Sequence, residues 1–158
     1  MNIFGTNLNL CIFGPPKNDI VLFDEGNSHY ITNYVLKDIQ TFTYNTRNPN
    51  FYFNFSIIFY FIKTLSDFNF NIIQKRKNLR AIIRELLCHY HLACLQYINP
   101  KIIITFTDNS LYYHWLCKKY KGANLFAIQN GNRTNKQLHS NVKQYHQHFF
   151  CFGNYEKD

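Results

Sequence analysis

Residues 125–133 read LFAIQNGNR. An apolar run passes straight into Gln129, Asn130, Gly131, Asn132 and Arg133. Carboxamides there can hydrogen-bond a polar ligand, the glycine lets backbone approach it closely, and the arginine matches a phosphate or carboxylate. The same abrupt stop occurs twice upstream. IVLFD runs into Asp24-Glu25-Gly26, and KIIITF runs into Thr107-Asp108-Asn109-Ser110. Asp24 and Asp108 are carboxylates at the ends of apolar runs and are the candidates for a general base. Glu25 stands beside the first of them. Asn109 and Ser110 open a predicted helix, where they either cap its free N–H groups or accompany an anionic ligand group. Arg47, in the loop NTRNPN after a further strand-like run, is placed to meet an acidic ligand. The ligand-binding candidates are therefore Glu25, Arg47, Asn109, Ser110, Gln129, Asn130, Gly131 and Arg133. The competing explanation for each is a plain loop in an Asn-rich chain.

Other chemistries find little support. The chain has no GxGxxG, P-loop, GxSxG or HExxH pattern. His89-x-His91 sits on a predicted helix, where residues two apart do not share a face. His146-x-His148 has no matching Cys/His group, so no metal site and no cofactor are expected. The five cysteines, at 11, 88, 94, 117 and 151, form no CxxC pair and lie in apolar segments. They read as reduced core thiols of a cytosolic protein.

The elements that must position these groups follow from periodicity and punctuation. Residues 1–18 are an irregular lead-in closed by Gly14-Pro15-Pro16. Asp19–Asp24, Gln40–Tyr44, Lys101–Phe106, Asn124–Ile128 and His148–Phe152 read as short strands, three of them continuous apolar runs. Helices are predicted over His29–Lys37, Phe51–Leu65, Ile72–Ile98 and Leu111–Tyr120, with Asn50 as a cap for the second and Gly122 closing the last. Leu79, Ile82, Ile83, Leu86 and Leu87 recur at helical spacing along the third. Apolar strands alternating with helices predict an α/β fold whose parallel sheet is covered on both faces. Right-handed crossovers place every strand C-terminus on one edge, and ligands bind at that edge in such sheets. The three polar stops would then meet at one place.

Composition bounds the rest. The chain has 158 residues, 46% hydrophobic content and a formal net charge of +8. That length suits a single domain, here 19–158 after the lead-in. A basic surface favours an anionic partner: nucleic acid, an activated substrate, or an acidic membrane face. Nucleic acid would use the basic run Gln74–Arg84, which reads first as a solvated helix face, so it is not the expected partner. Phe51–Ile62 (FYFNFSIIFYFI) is too short to span a bilayer, which takes about 20 residues. It is expected as a buried helix rather than an interfacial one.

The segments NPKIIITFTDNS, LFAIQNGNR and HFFCFG, with PPKNDIVLFDEGNSHYI and TRNPN upstream, resemble bacterial surface carbohydrate biosynthesis proteins, which look like glycosyltransferases of the GT-B type. The resemblance runs from about Pro15 to Gly153, and DNS and IQNGxR are its most specific parts. It implies a Rossmann-like three-layer sandwich corresponding to one half of a GT-B fold. It further implies an N-terminal domain that holds the acceptor, a second domain that binds a nucleotide-sugar donor, and no bound metal. Related polymer enzymes often carry a histidine or an acid in the loop where this chain has Asn130. An amide is no base, so Asp24, Glu25 or Asp108 would have to supply one.

Two such domains need roughly 300 residues. The chain is therefore expected to be the acceptor half, with the C-terminal donor domain absent from it, and inactive alone. Its partners would be a nucleotide-sugar or an anionic glycan acceptor, brought in through a missing or separate second domain. Its expected location is cytoplasmic, with room for peripheral association at the inner membrane. The alternative is a stand-alone Rossmann-like module that binds a nucleotide, an anionic ligand or a partner protein.

Overall fold

A computed structural model describes residues 2–3, 6–7, 9–24, 32–34, 36–46, 50–67, 79–107, 110–129 and 147–150. The chain divides into two compact units. One comprises Met1–Lys17 with Asn48–Asn99, the other Asn18–Arg47 with Pro100–Asp158.

The second unit carries the sheet. Its strands are β4 (Ile20–Phe23), β5 (Phe42–Tyr44), β7 (Ile102–Thr105), β8 (Asn124–Ile128) and β9 (His148–Phe150). They lie in the order β5-β4-β7-β8-β9, and every neighbouring pair is parallel. The fold class is α/β with a Rossmann-like parallel sheet, as the alternation of apolar runs and helices predicts. The inner strands owe their place to composition: Val21, Leu22, Phe23, Ile103, Leu125 and Ala127 are all essentially inaccessible. A strand buried on both faces needs apolar residues throughout. Parallel neighbours need a crossover, and helix α3 (Leu111–Lys119) supplies the one between β7 and β8. Tyr113, Leu116 and Cys117, spaced three and four apart, form its buried stripe. Phe23 lies within 6.3 Å, ring centroid to ring centroid, of Tyr44, Tyr112 and Tyr113.

The first unit opens with short strands β1 (Asn2–Ile3) and β2 (Thr6–Asn7), paired antiparallel, in a stretch whose sequence has no strand pattern. Strand β3 (Asn9–Cys11) pairs in parallel with β6 (Asn50–Tyr52). Helix α1 spans Phe55–Leu65 and packs on α2 (Leu79–Ile98). Two expectations change here. The run from Phe51 is not one helix: Asn50 begins a strand, and Asn54 is the cap, its side-chain oxygen accepting from the Ser56 N–H at 2.9 Å. Nor is α1 buried all round. Ile57 and Thr64 face inward, while Phe55, Phe59 and Ile62 are each more than half exposed.

A third change concerns α3. Its C-cap, Tyr120, is extended, so the helix does not end in a left-handed glycine. Gly122 is small for another reason: a Cβ there would stand 2.8 Å from the Tyr120 hydroxyl.

Candidate functional site

The strand order places a topological switch point on the sheet. From β4 the chain goes outward to β5 on one side, and the later strands β7, β8 and β9 build out from the other. At such a point the two connections leave in opposite directions and open a crevice beyond the strand C-termini. Here the switch point lies between the ends of β4 and β7. Asp24 and Thr107, each the described residue of a polar stop, follow β4 and β7 there. The third stop, starting at Gln129, is one strand further along.

Register puts these groups at nearly one height. Leu22 pairs with Ile104, Phe23 with Tyr44, and Thr105 with Ala127. Continued by one or two residues, the ladders bring Asp24 level with Asn45 and Phe106, and Thr107 level with Gln129.

Asp24 is the best-defined member. It is 4% exposed, and its backbone is left-handed at φ 60°. Apart from Asn99, it is the only described non-glycine residue with positive φ. Asp and Asn tolerate that region because their short polar side chains bond locally. Its N–H donates to the Tyr44 carbonyl at 2.8 Å, which ends the β4–β5 ladder. Oδ1 accepts from the Thr46 N–H at 2.7 Å and from the Thr46 hydroxyl at 2.6 Å. The carboxylate thus fastens the chain just past the end of β5.

The end of β7 is organised by its own hydroxyl. Thr105 is buried, and its Oγ1 accepts from the Thr107 N–H at 3.0 Å, turning the chain out of the strand. The Thr107 carbonyl then accepts from the Ser110 N–H at 3.1 Å. Ser110 is the N-cap of α3, with its Oγ accepting from the Tyr113 N–H at 3.3 Å. Capping accounts for Ser110 without a ligand. Gln129 is 2% exposed, and its N–H donates to the Phe150 carbonyl at 2.9 Å, tying β8 to β9. A buried carboxamide just past a central strand is held by the fold rather than solvated.

Of the predicted site residues, Asp24, Ser110 and Gln129 are thus placed at this edge. Glu25, Arg47, Asp108, Asn109, Asn130, Gly131 and Arg133 lie outside the described residues. Thr46, Thr105 and Thr107 belong to the edge and were not singled out from sequence. The hydroxyl spacing in Thr105-Phe106-Thr107 is the signal that could have found the last two. Among the described residues, no group of three or more His, Cys, Asp or Glu side chains is arranged to hold a metal ion. Among the described residues Cys11, Cys88, Cys94 and Cys117 are in no disulfide, and burial pushes the Cys117 thiol up, away from the reactive thiolate. Among the described residues no helix is long and apolar enough to cross a membrane.

No protein-family model matches the chain, and neither a curated protein nor a solved structure matches it.

Proposed function

We propose that this chain is the acceptor-side domain of a glycosyltransferase-like protein of bacterial surface polysaccharide biosynthesis, and that the carboxyl edge of its sheet holds a polar, anionic glycan acceptor. One observation carries the reading. A buried aspartate in a left-handed conformation sits at the switch point of a parallel sheet, its carboxylate oriented by two hydrogen bonds from Thr46. Strained backbone held in place by its surroundings tends to gather at functional sites. Buried hydroxyls and an amide stand at the same height on the neighbouring strands.

In this reading Gln129, Asn109 and Asn130 hydrogen-bond acceptor hydroxyls, while Arg133 and Arg47 neutralise its acidic group. Asp24 or Asp108 serves as base if this half carries one. A second Rossmann-like domain, in the same or another polypeptide, brings the nucleotide-sugar donor. Transfer requires both reactants to be held together, so the acceptor side acts only with its donor-binding counterpart. The acceptor is met at the cytoplasmic face of the membrane. The site needs no metal.

The test is titration of the chain with an acidic oligosaccharide, a neutral one and a nucleoside diphosphate, followed by amide chemical shifts. Selective shifts at Thr46, Thr107 and Gln129 with the acidic glycan, weakened about tenfold in Arg133→Ala, support the proposal. The same residues responding to the nucleotide alone would instead favour a stand-alone nucleotide-binding module. A switch-point crevice accommodates that ligand too.

A further inference from the structure

The first unit exposes a large apolar surface. On α1, Phe55, Ile58, Phe59 and Ile62 recur at intervals of three, one and three residues, which makes a single stripe, with exposures of 92, 40, 66 and 64%. A second group stands at the helix's N-terminal end, where Phe53 is two residues before Phe55. The Phe53 N–H donates to the Cys11 carbonyl at 2.7 Å, which sets Phe53 beside Ile12 and Phe13. Those three are 63, 80 and 83% exposed. Isolated exposed apolar residues need no explanation, but a contiguous aromatic face does.

The charge of the same unit indicates what covers that face. Residues 1–17 and 48–99 contain seven lysines and arginines against two acids, Asp67 and Glu85, and so hold most of the chain's excess positive charge. Lys63 directly follows Ile62. On α2, Arg80, Ile83, Arg84 and Leu87 line an open groove of about 470 Å³. Two guanidiniums beside two aliphatic side chains suit a phosphate attached to an acyl chain. A second copy of the chain would bring a like-charged surface against this one. An anionic bilayer brings the opposite charge and an apolar interior together. Phe and Ile on one side of a short helix that carries a lysine, in a basic unit, are what interfacial binding uses.

We infer that the aromatic face of α1, with the Phe53 cluster and the Arg80–Arg84 groove, docks on an anionic phospholipid surface. The stripe enters the headgroup boundary and the arginines take lipid phosphates. This gives the proposed peripheral location a defined surface, and it does not depend on what the sheet edge binds.

Flotation of the full chain with phosphatidylglycerol-rich vesicles and with pure phosphatidylcholine vesicles tests it. Binding is expected to the anionic vesicles only. Phe59→Ser combined with Ile62→Ser should weaken it about tenfold or more, and Arg80→Glu combined with Arg84→Glu should weaken it and flatten its salt dependence. All four residues are solvent-facing or line an open groove, and circular dichroism of each variant verifies the fold. Absence of binding to anionic vesicles, or binding indifferent to both double variants, overturns the inference. So does a wild-type dimer that Phe59→Ser with Ile62→Ser dissolves, since that result assigns the face to a second copy.

Discussion

Thr46 donates twice to one oxygen of Asp24, through its N–H at 2.7 Å and its hydroxyl at 2.6 Å. The pair lies at the ends of adjacent parallel strands, 22 residues apart in sequence. It therefore holds the two chain exits beside the switch point in a fixed relation. The hydrogen bonds are to a charged acceptor that is almost fully buried, where each is worth about 1.5–3 kcal/mol.

Replacing Asp24 by Ala removes the acceptor for both donors and leaves a residue less suited to positive φ. A loss of about 3 kcal/mol is expected in urea unfolding. Asp24→Asn keeps an acceptor and tolerates the left-handed backbone, so it should lose markedly less. Thr46→Val removes only the hydroxyl and should cost about 1–2 kcal/mol. Equal losses for Ala and Asn would show that the side-chain oxygen does not hold the loop.

Tyr90 on α2 serves β6 in a comparable way. Its hydroxyl accepts from the Tyr52 N–H at 2.6 Å and donates to the Tyr52 carbonyl at 3.3 Å, with its ring stacked on Phe51 at 5.1 Å. Burial pushes the phenol well above its usual range, so it stays protonated and able to donate. Tyr90→Phe keeps the packing and strips the strand of this partner. It should lower stability by about 1–3 kcal/mol and speed hydrogen exchange at the Tyr52 amide. Unchanged exchange would show that the amide finds another acceptor.

Acid should destabilise the protein through His91. Burial holds its imidazole down to about 3, so it is neutral in the fold, while in the unfolded chain it takes up a proton near pH 6.5. The unfolded state then binds more protons between those values. Stability is full above about pH 6.5 and falls as the pH drops toward 3, by at most about 1.4 kcal/mol per pH unit from this group. Urea midpoints at pH 7 and pH 5 should differ by about 2 kcal/mol in stability, and His91→Asn should reduce the difference. A pH dependence that survives this substitution unchanged would place the titration elsewhere.

Gly14 is held small by Tyr97. A Cβ at Gly14 would lie 2.6 Å from the Tyr97 ring, which also carries Lys17 Nζ at 5.4 Å from its centroid. Gly14→Ala should cost about 1–3 kcal/mol. Adding Tyr97→Leu should recover part of that loss, since the clash is with the ring. A double variant showing the plain sum of the two losses would mean that the backbone, not the ring, sets the constraint.

Much of the fold was legible in the sequence because its signals are local. Asn124–Ile128 is bounded as its apolar run suggests, and IVLF, IIIT and FTY are strands within a residue or two of their predicted ends. Ser110 caps α3 because a hydroxyl before an apolar-periodic segment satisfies free N–H groups wherever it occurs. A parallel sheet also followed from sequence, since runs that are apolar on both sides must be buried on both faces. Strand order did not follow. Nothing local tells β7 to pair with β4 rather than with β5, so the switch point, and with it the placing of Asp24 and Thr107 at the ends of neighbouring strands, was decided only by the tertiary structure. Thr46 was passed over for the same reason: its partner lies on another strand. FYFNFSIIFYFI shows the opposite limit. Its composition argues for burial, but which apolar residues are covered depends on what the rest of the chain can reach. The fold covers Ile57 and leaves Phe55 and Phe59 in the open.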